Sequence, residues 1–223
     1  MKRQAWAVIQ KATRGTMPES IVFNEDCMQG MKRYPDKYFD LAVVDPPYGI
    51  GINESIGRRK GQPHSGHKKA YWDCYIPDKE YFDNLLNISK NQIVWGGNYM
   101  TQFLKPSSCW LLWDKCFSSD LTFSQFEMAW TSFNTMTKKF EMINNSSGKI
   151  HPTQKPVKLY EWILLNYAKP GDKILDTHVG SGSSRIAAYK HGFDFVGFEI
   201  DKEYFEAQEK RFNDFKAQQT FDF

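Results

Sequence analysis

The chain has 223 residues, of which 41% are hydrophobic, 16% aromatic and 25% charged, and its net charge is +3. This composition supports a folded globular domain and excludes disordered, collagen-like and disulfide-scaffold proteins. No apolar run approaches the ~18 residues of a membrane span, and the stretch Ala5–Ile9 is too short for a signal peptide. We therefore expect a single cytoplasmic domain over residues 1–223 with no membrane partner.

Four cysteines occur, and none of them forms a CxxC pair. No histidine cluster has the spacing of zinc ligands either. We expect reduced thiols and no bound metal.

Short apolar runs alternate with amphipathic stretches, which predicts an α/β domain with a parallel sheet. The predicted strands are Ile21–Asn24, Leu41–Val44, Gln92–Trp95, Trp110–Trp113, Phe126–Trp130, Lys173–Leu175 and Asp194–Glu199. The predicted helices are Met28–Tyr34, Tyr81–Ser89, Val157–Tyr167, Ser184–His191 and Lys202–Phe215.

A rigid turn directly follows the predicted strand Leu41–Val44. Its sequence is Asp45-Pro46-Pro47-Tyr48, in which the prolines fix the backbone and donate no hydrogen bond. The Asp45 carboxylate and the Pro46 carbonyl are therefore acceptors suited to a planar NH2 group, and Tyr48 offers a face on which a base can stack. An ordinary strand-ending turn is the structural alternative.

Two long segments show no regular pattern and are predicted to face the substrate: Gly49–Cys74 and Asn134–Lys149. The first contains a basic cluster with no acidic residue between Ser55 and Trp72. Clustered cations attract a nucleic-acid backbone, although a solvated loop would have the same composition. The cluster consists of Arg58, Arg59, Lys60, Lys68 and Lys69.

A glycine-rich turn joins the predicted strand ending near Asp176 to the next helix. Its residues Gly180, Ser181, Gly182 and Ser183 allow a ligand to approach the backbone closely. Glu199 ends the following strand, 23 residues after Asp176, where a carboxylate can accept hydrogen bonds from ribose hydroxyls. The dinucleotide spacing is absent because position 185 is Arg, so the pattern favours a mononucleoside cofactor such as S-adenosylmethionine (SAM).

Three motifs together resemble the β class of DNA amino-methyltransferases. They are Asp45-Pro46-Pro47-Tyr48, then His151-Pro152-Thr153-Gln154-Lys155-Pro156, and last the turn Asp176–Ser183. The resemblance extends over nearly the whole chain, and the small size is similar to that of orphan enzymes from phages and mobile elements. The turn departs from the family's usual Asp-Pro-Phe, because it reads Asp176-Thr177-His178.

The resemblance implies a circularly permuted class I SAM-dependent methyltransferase fold, with seven strands of which one is antiparallel. Asp26 would then accept a hydrogen bond from the adenine amine of SAM, with Cys27 beside it. Thr153 and Lys155 would lie near the methionine carboxylate. Sequence recognition would depend on the segment 131–150, on the basic loop 49–74 or on a second subunit.

The resemblance further implies that the protein methylates the N6 amine of adenine in DNA after flipping the base out of the duplex. Asp before Pro-Pro-Tyr resembles the adenine-specific members. Methylation of cytosine N4, of RNA or of single strands remains an alternative, and so does a SAM-binding subunit without turnover. DNA is the expected partner, whereas a homodimer and a cognate restriction endonuclease are left open.

Overall fold

The computed structural model describes residues 17–51, 71–116, 124–143 and 148–219. These residues form an eight-stranded sheet with helices on both faces. The strands are β1 (Ser20–Phe23), β2 (Phe39–Val44), β3 (Ser89–Trp95), β4 (Trp110–Asp114), β5 (Phe126–Thr131), β6 (Lys138–Glu141), β7 (Lys173–Asp176) and β8 (Asp194–Phe198). The helices are α1 (Cys27–Met31), α2 (Lys79–Ile88), α3 (Val157–Tyr167), α4 (Ser183–Lys190) and α5 (Lys202–Gln219).

The strand order is β1-β8-β7-β2-β3-β5-β4-β6, and among these strands only β5 runs antiparallel to its neighbours. Strands β7 and β2 are parallel neighbours, with Leu175 opposite Ala42. Their carboxyl ends therefore place Asp176 and Asp45 at the same edge of the sheet. Strand β1 pairs with β8 from the other end of the chain, as the permuted order requires.

Each face of the sheet packs against its own group of helices. One face contacts α3 and α4 through apolar residues such as Ile163 and Ala187, and the other contacts α1 and α2 through residues such as Met31 and Phe82. Parallel strands covered on both faces are expected to be apolar throughout, which explains the uninterrupted run Leu41–Val44. Among the described residues, no helix is long and apolar enough to cross a membrane.

The prediction of seven strands was wrong by one, because β6 forms inside the segment predicted to be irregular. This edge strand has four residues, and it pairs only with β4. Its Phe140 ring lies 5.4 Å from that of Trp162 on α3. Four residues with one apolar anchor are too few for a periodic signal.

Helix boundaries differ from the predictions by a few residues. Helix α1 ends at Met31, before Tyr34-Pro35, and Ser89 begins β3 instead of ending α2. Helix α5 continues to Gln219, four residues beyond the predicted end. Helix α3 has the predicted bounds.

A buried arginine joins the two ends of the chain. Arg185 of α4 donates to the hydroxyl and carbonyl oxygens of Ser20 at 3.1 Å each, and its Nη1 lies 2.5 Å from Glu209 Oε1 of α5. Its guanidinium also lies 3.9 Å from the centre of the Phe212 ring. The Arg side chain at this position therefore connects β1 to α5 in the permuted arrangement.

We predict that Arg185→Ala lowers the free energy of unfolding by about 2–3 kcal/mol, because it removes several charge-assisted hydrogen bonds and the contact of the guanidinium with Phe212. Urea denaturation measures the change. The matched control is Lys190→Ala, whose pair with Glu161 is more exposed and whose loss should cost at most about 1 kcal/mol. Equal losses for the two variants would contradict the role given to Arg185.

Candidate active site

The glycine-rich turn after β7 is shaped by backbone that favours glycine. Gly180 and Gly182 have φ angles of 51° and 74°. Asp176 lies buried at the base of the turn, where it accepts from the Ser184 hydroxyl at 2.5 Å and from the His178 amide at 3.0 Å. Burial raises the pKa of Asp176 to about 7. Asp176 therefore fixes the turn through hydrogen bonds and is not among the residues that line the neighbouring cavity.

Glu199 has a fixed carboxylate beside that turn. One oxygen accepts from the Gly180 amide at 2.8 Å and the other from the Asp201 amide at 2.9 Å. Burial raises its pKa. Each oxygen keeps a lone pair for another donor, so the geometry fits a pair of ribose hydroxyls.

A cavity of about 600 Å³ opens between the two turns. This volume lies within the range of small-molecule sites, and its wall combines apolar surface with a few fixed polar groups, as a nucleoside cofactor requires. Of the predicted site residues, the cavity is lined by Asp45, Pro47, Thr153, Lys155, Gly180, Ser181, Ser183 and Glu199. It is also lined by four further residues of the quoted motifs, His151, Gln154, His178 and Val179. The remaining lining residues, which no motif indicated, are Tyr160, Ile200, Asp201 and Tyr204.

Asp26 and Cys27 do not line this cavity. The Asp26 carboxylate caps α1 by accepting from the Met28 amide at 2.7 Å. Burial raises the pKa of the Cys27 thiol to about 12, so it is protonated at neutral pH. Their proposed contact with adenine stays a prediction.

Two histidines in the cavity wall carry no charge at neutral pH. Burial lowers the pKa of His151 to about 4 and that of His178 to about 4. The Nδ1 atom of His178 lies 2.9 Å from the Thr177 hydroxyl, which lies 2.7 Å from the hydroxyl of Tyr81 on α2. These hydrogen bonds fix the ring that replaces the usual Phe of the family motif.

The Asp45-Pro46-Pro47-Tyr48 turn leaves the end of β2 and is anchored by a residue that no sequence motif indicated. The buried carboxylate of Asp73 accepts from the Tyr48 and Gly49 amides at 2.8 and 3.1 Å. Asp73 lies directly after the stretch Ser55–Trp72, which contains the basic cluster, and an isolated aspartate there gives no recognisable pattern. Asp73 thus fixes the backbone that follows Pro47.

Tyr48 is held by two contacts. Its hydroxyl donates to Asp45 Oδ1 at 2.6 Å, and its ring stacks on that of Tyr99 at 5.5 Å and 21°. Gly96 makes this possible, because a Cβ there would lie 2.2 Å from the Tyr48 ring. The Tyr48 hydroxyl therefore orients the Asp45 carboxylate, and the Tyr48 ring also provides an aromatic surface.

Lys155 is buried against the same carboxylate. Its Nζ lies 2.5 Å from Asp45 Oδ2, 3.0 Å from Glu127 Oε2 and 3.2 Å from the Tyr48 hydroxyl. Burial opposes its charge, but the two carboxylates outweigh this effect and raise the pKa of Lys155. Burial raises the pKa of Asp45, and Lys155 partly offsets that rise. Lys155 lines the cavity of about 600 Å³, and its ammonium is bound to two protein carboxylates.

A second cavity, of about 40 Å³, lies beside the Asp45-Pro46-Pro47-Tyr48 turn. It is much smaller than the first cavity. Asp45, Pro47, Thr153 and Lys155 line both cavities. The small cavity is also lined by Pro46, Tyr48, Asp73 and Glu127.

The predicted DNA-binding residues Arg58, Arg59, Lys60, Lys68 and Lys69 lie outside the described residues. The segment 131–150 is described except for residues 144–147, and it contains the end of β5 and all of β6. Within the described parts of the chain, no cluster of His, Cys, Asp and Glu could hold a metal ion.

Known proteins resemble this chain in sequence. A family model of N6/N4 methyltransferases, described as DNA methylase, matches residues 106–210. Type II methyltransferase M.HinfI of Haemophilus influenzae is 24% identical over 87% of this chain and 68% of its own length. Type II methyltransferase M2.DpnII of Streptococcus pneumoniae is 44% identical, over 39% of this chain and 30% of its own length.

Solved structures share the fold. The complex of M1.HpyAVI with SAM superposes with a TM-score of 0.55 and 19% identity, over 86% of this chain and 98% of that one. The cytosine-N4-specific PvuII DNA methyltransferase has a TM-score of 0.58 and 14% identity, over 92% and 95% of the two chains. In sequence the chain is thus similar to N6/N4 DNA methyltransferases, and its permuted sheet has the fold of the solved SAM-dependent methyltransferases.

Proposed function

We propose that the protein transfers a methyl group from SAM to the N6 amine of adenine in DNA. The observation that carries the proposal is the position of Asp45, whose side chain borders the cofactor cavity on one side and the small cavity on the other. Asp at the first position of the turn, where a cytosine-specific enzyme more often has Ser, supports adenine as the target. Methyl transfer requires the target base and SAM to meet, and Asp45 lies where the two cavities do. The turn Asp45–Tyr48 is therefore the proposed catalytic turn.

The exocyclic amine is a weak nucleophile, because its lone pair is delocalised into the ring. Hydrogen bonds from NH2 to the Asp45 carboxylate and the Pro46 carbonyl favour a more tetrahedral nitrogen with a freer lone pair. When bound, SAM would supply a methyl group on a positively charged sulfur: the nitrogen–methyl bond would form as the sulfur–methyl bond breaks, the neutral thioether would leave, and the amine would lose a proton. The protein contributes position and electrostatics, since the carboxylate stabilises positive charge that develops on the amine.

Most of the cofactor residues are assigned by their position in the cavity wall, whereas Gly182, Asp26 and Cys27 are assigned by the family resemblance. We propose that Glu199 accepts from the ribose hydroxyls, that Gly180, Ser181, Gly182 and Ser183 surround the cofactor, and that Thr153 and Lys155 lie at its methionine end. Asp26 and Cys27 would complete the adenine side. The fixed Glu199 carboxylate in a cavity of nucleoside size supports this assignment.

The target base has to be flipped out of the duplex to reach Asp45. In the structure the Tyr48 hydroxyl already occupies one oxygen of Asp45, and the Tyr48 ring is stacked on Tyr99. We therefore propose that the incoming base displaces at least one of these contacts and then stacks on Tyr48.

Incubation with methyl-labelled SAM and genomic DNA, followed by mass spectrometry of the nucleosides, tests the proposed reaction. We expect N6-methyladenine. N4-methylcytosine would show the same chemistry on the other base, and absence of any methylated nucleoside would contradict the proposed function.

We predict that Asp45→Asn lowers kcat by about 10- to 100-fold or more, because the amine loses a charged acceptor. SAM affinity measured by calorimetry should change by no more than about twofold, since the cofactor contacts stay. The control is Asp40→Asn, a carboxylate at the other end of β2 that pairs with Lys90. Turnover near that of the wild type would show that the catalytic turn is wrongly assigned.

We predict that Glu199→Gln weakens SAM binding by about 1–3 kcal/mol, the range for losing hydrogen bonds to a charged group. The substitution also removes an acceptor from the Gly180 or Asp201 amide. Glu206→Gln, on an exposed face of α5, is the matched control and should leave affinity unchanged. Calorimetry showing equal affinity for both variants would remove Glu199 from the cofactor site.

We also propose that the basic cluster contacts DNA phosphates. Its segment leaves the catalytic turn after Gly51 and returns at Tyr71, and the Gly51 amide donates to the Asp73 carbonyl at 3.0 Å. Changing Arg58, Arg59, Lys68 and Lys69 to Ala should weaken DNA binding and leave SAM binding unchanged.

Titrating DNA binding against salt measures this effect. For every phosphate that these side chains no longer neutralise, the log–log salt dependence should flatten by ~0.9 for duplex DNA and ~0.7 for single strands. A control with the same charge change has alanine at the exposed positions Lys169, Lys190, Lys202 and Lys210. If the loop variant keeps the wild-type slope, the cluster is only solvated.

A further inference from the structure

Glu127 occupies a position that the proposed reaction does not by itself explain. It lies on the antiparallel strand β5, and its carboxylate is between two lysines. Oε2 lies 3.0 Å from Lys155 Nζ, and Oε1 lies 2.7 Å from Lys115 Nζ. The Glu127 side chain also lines the small cavity beside the catalytic turn, together with Asp45.

Lys155 joins strands that are not neighbours in the sheet. Strand β3 separates β2, which ends at the catalytic turn, from β5. The Lys155 ammonium crosses this gap 5.3 Å from the centre of the Trp95 ring, at the end of β3. It has three N–H groups, and the three oxygens near it belong to Asp45, Glu127 and Tyr48. Two of these acceptors belong to the catalytic turn, and Glu127 alone holds the ammonium from the side of β5.

The charges of the cluster alternate. Asp45, Lys155, Glu127 and Lys115 together carry no net charge when all four are ionised. With Glu127 neutral, two ammonium groups would face a single carboxylate. The ammonium of Lys155 would then bind Asp45 more tightly, and the target amine would compete less well for the carboxylate oxygens.

We propose that Glu127 is a positioning residue of the methyl-transfer site. It holds Lys155 between β5 and the catalytic turn, and it takes a share of the ammonium's hydrogen bonding. Asp45 thereby keeps its orientation, and its carboxylate oxygens stay available to the target amine. This inference rests on the proposed function, because the amine is the group that Asp45 serves.

The pKa shifts agree with this geometry. Burial raises the pKa of Asp45, Lys155 lowers it, and the charge of Glu127 raises it again. Burial would raise the pKa of Glu127, but Lys155 and Lys115 outweigh burial and lower it. The titratable groups that act on Asp45 or are acted on by it are Tyr48, Tyr81, Glu127, Lys155, Tyr160 and Asp176.

The sign of the pH effect follows from these charges. Asp45 has to be ionised to accept from the amine, so activity is lost as the pH falls through its pKa. Removing the negative charge of Glu127 lowers that pKa, and the acid limb of the kcat profile moves to lower pH. If Glu127 had only a packing role, its substitution would leave the acid limb of the kcat profile at the same pH.

The test is Glu127→Gln, which keeps the shape and removes the charge. We expect kcat to fall by about 10- to 100-fold, the range for losing a hydrogen bond to a charged group. SAM affinity and the KM for DNA should stay within about twofold, and the acid limb should move to lower pH. Glu127→Asp, which restores the charge, should recover part of the rate.

The matched control is Glu141→Gln, at an exposed ion pair with Lys139 on the nearby edge strand β6. Thermal melts and SAM binding show whether each variant folds. Wild-type kcat and an unmoved acid limb in Glu127→Gln would overturn the inference. Equal losses of stability, SAM affinity and kcat with an unmoved limb would overturn it too, because they indicate a purely structural role.

Failure of the proposed function would appear separately, as absence of methyl transfer by the wild-type protein. The inference then has a readout that needs no turnover. The carboxyl ¹³C signal of Asp45, assigned by its loss in Asp45→Asn, should titrate at lower pH in Glu127→Gln than in the wild type. An unchanged titration would overturn the inference in that case.

Discussion

The buried contact between the Lys155 ammonium and the Asp45 carboxylate is the interaction on which the site depends. It joins the loop before α3 to the turn after β2 at 2.5 Å, and Glu127 adds β5 at 3.0 Å. Buried charges are costly unless they are paired and hydrogen-bonded. Here each buried charge has a partner of opposite sign, and Lys155 opposes the rise that burial causes in the pKa of Asp45.

The sheet explains why the two functional turns meet. Parallel neighbours β2 and β7 end at the same edge, where open α/β sheets bind their ligands. Each turn is then fixed by a carboxylate from outside it. Asp73 accepts from the amides of the catalytic turn, and Glu199 accepts from the amide of Gly180 in the glycine-rich turn. A site built in this way is preorganised on both the target and the cofactor sides.

Local patterns were sufficient to predict the parts of the fold that have strong local signals. Each of these signals determines the structure of the residues next to it. They are the apolar runs before Asp45 and Asp176, the proline pair and the glycine-rich turn. The strand β6 was missed because its four residues are stabilised by pairing with β4. A contact of this kind at the edge of the sheet produces no periodic pattern in the sequence.

Two site residues escaped prediction for the same physical reason. Glu127 reaches Lys155 only after β5 has paired antiparallel with β3, and Asp73 reaches Tyr48 from 25 residues further along the chain. Neither residue has a neighbour in sequence that indicates its partner. The resemblance located Lys155 in the cofactor region, but only the folded chain shows which groups bind its ammonium.

A crystal structure of the protein with SAM bound tests this account most directly, through the position of the Lys155 ammonium. We predict that Nζ stays in hydrogen-bonding contact with both Asp45 and Glu127, while the cofactor occupies the cavity beside Glu199. An ammonium that has moved more than about 4 Å from Asp45, beyond the range of an ion pair, and that binds the methionine carboxylate would contradict it.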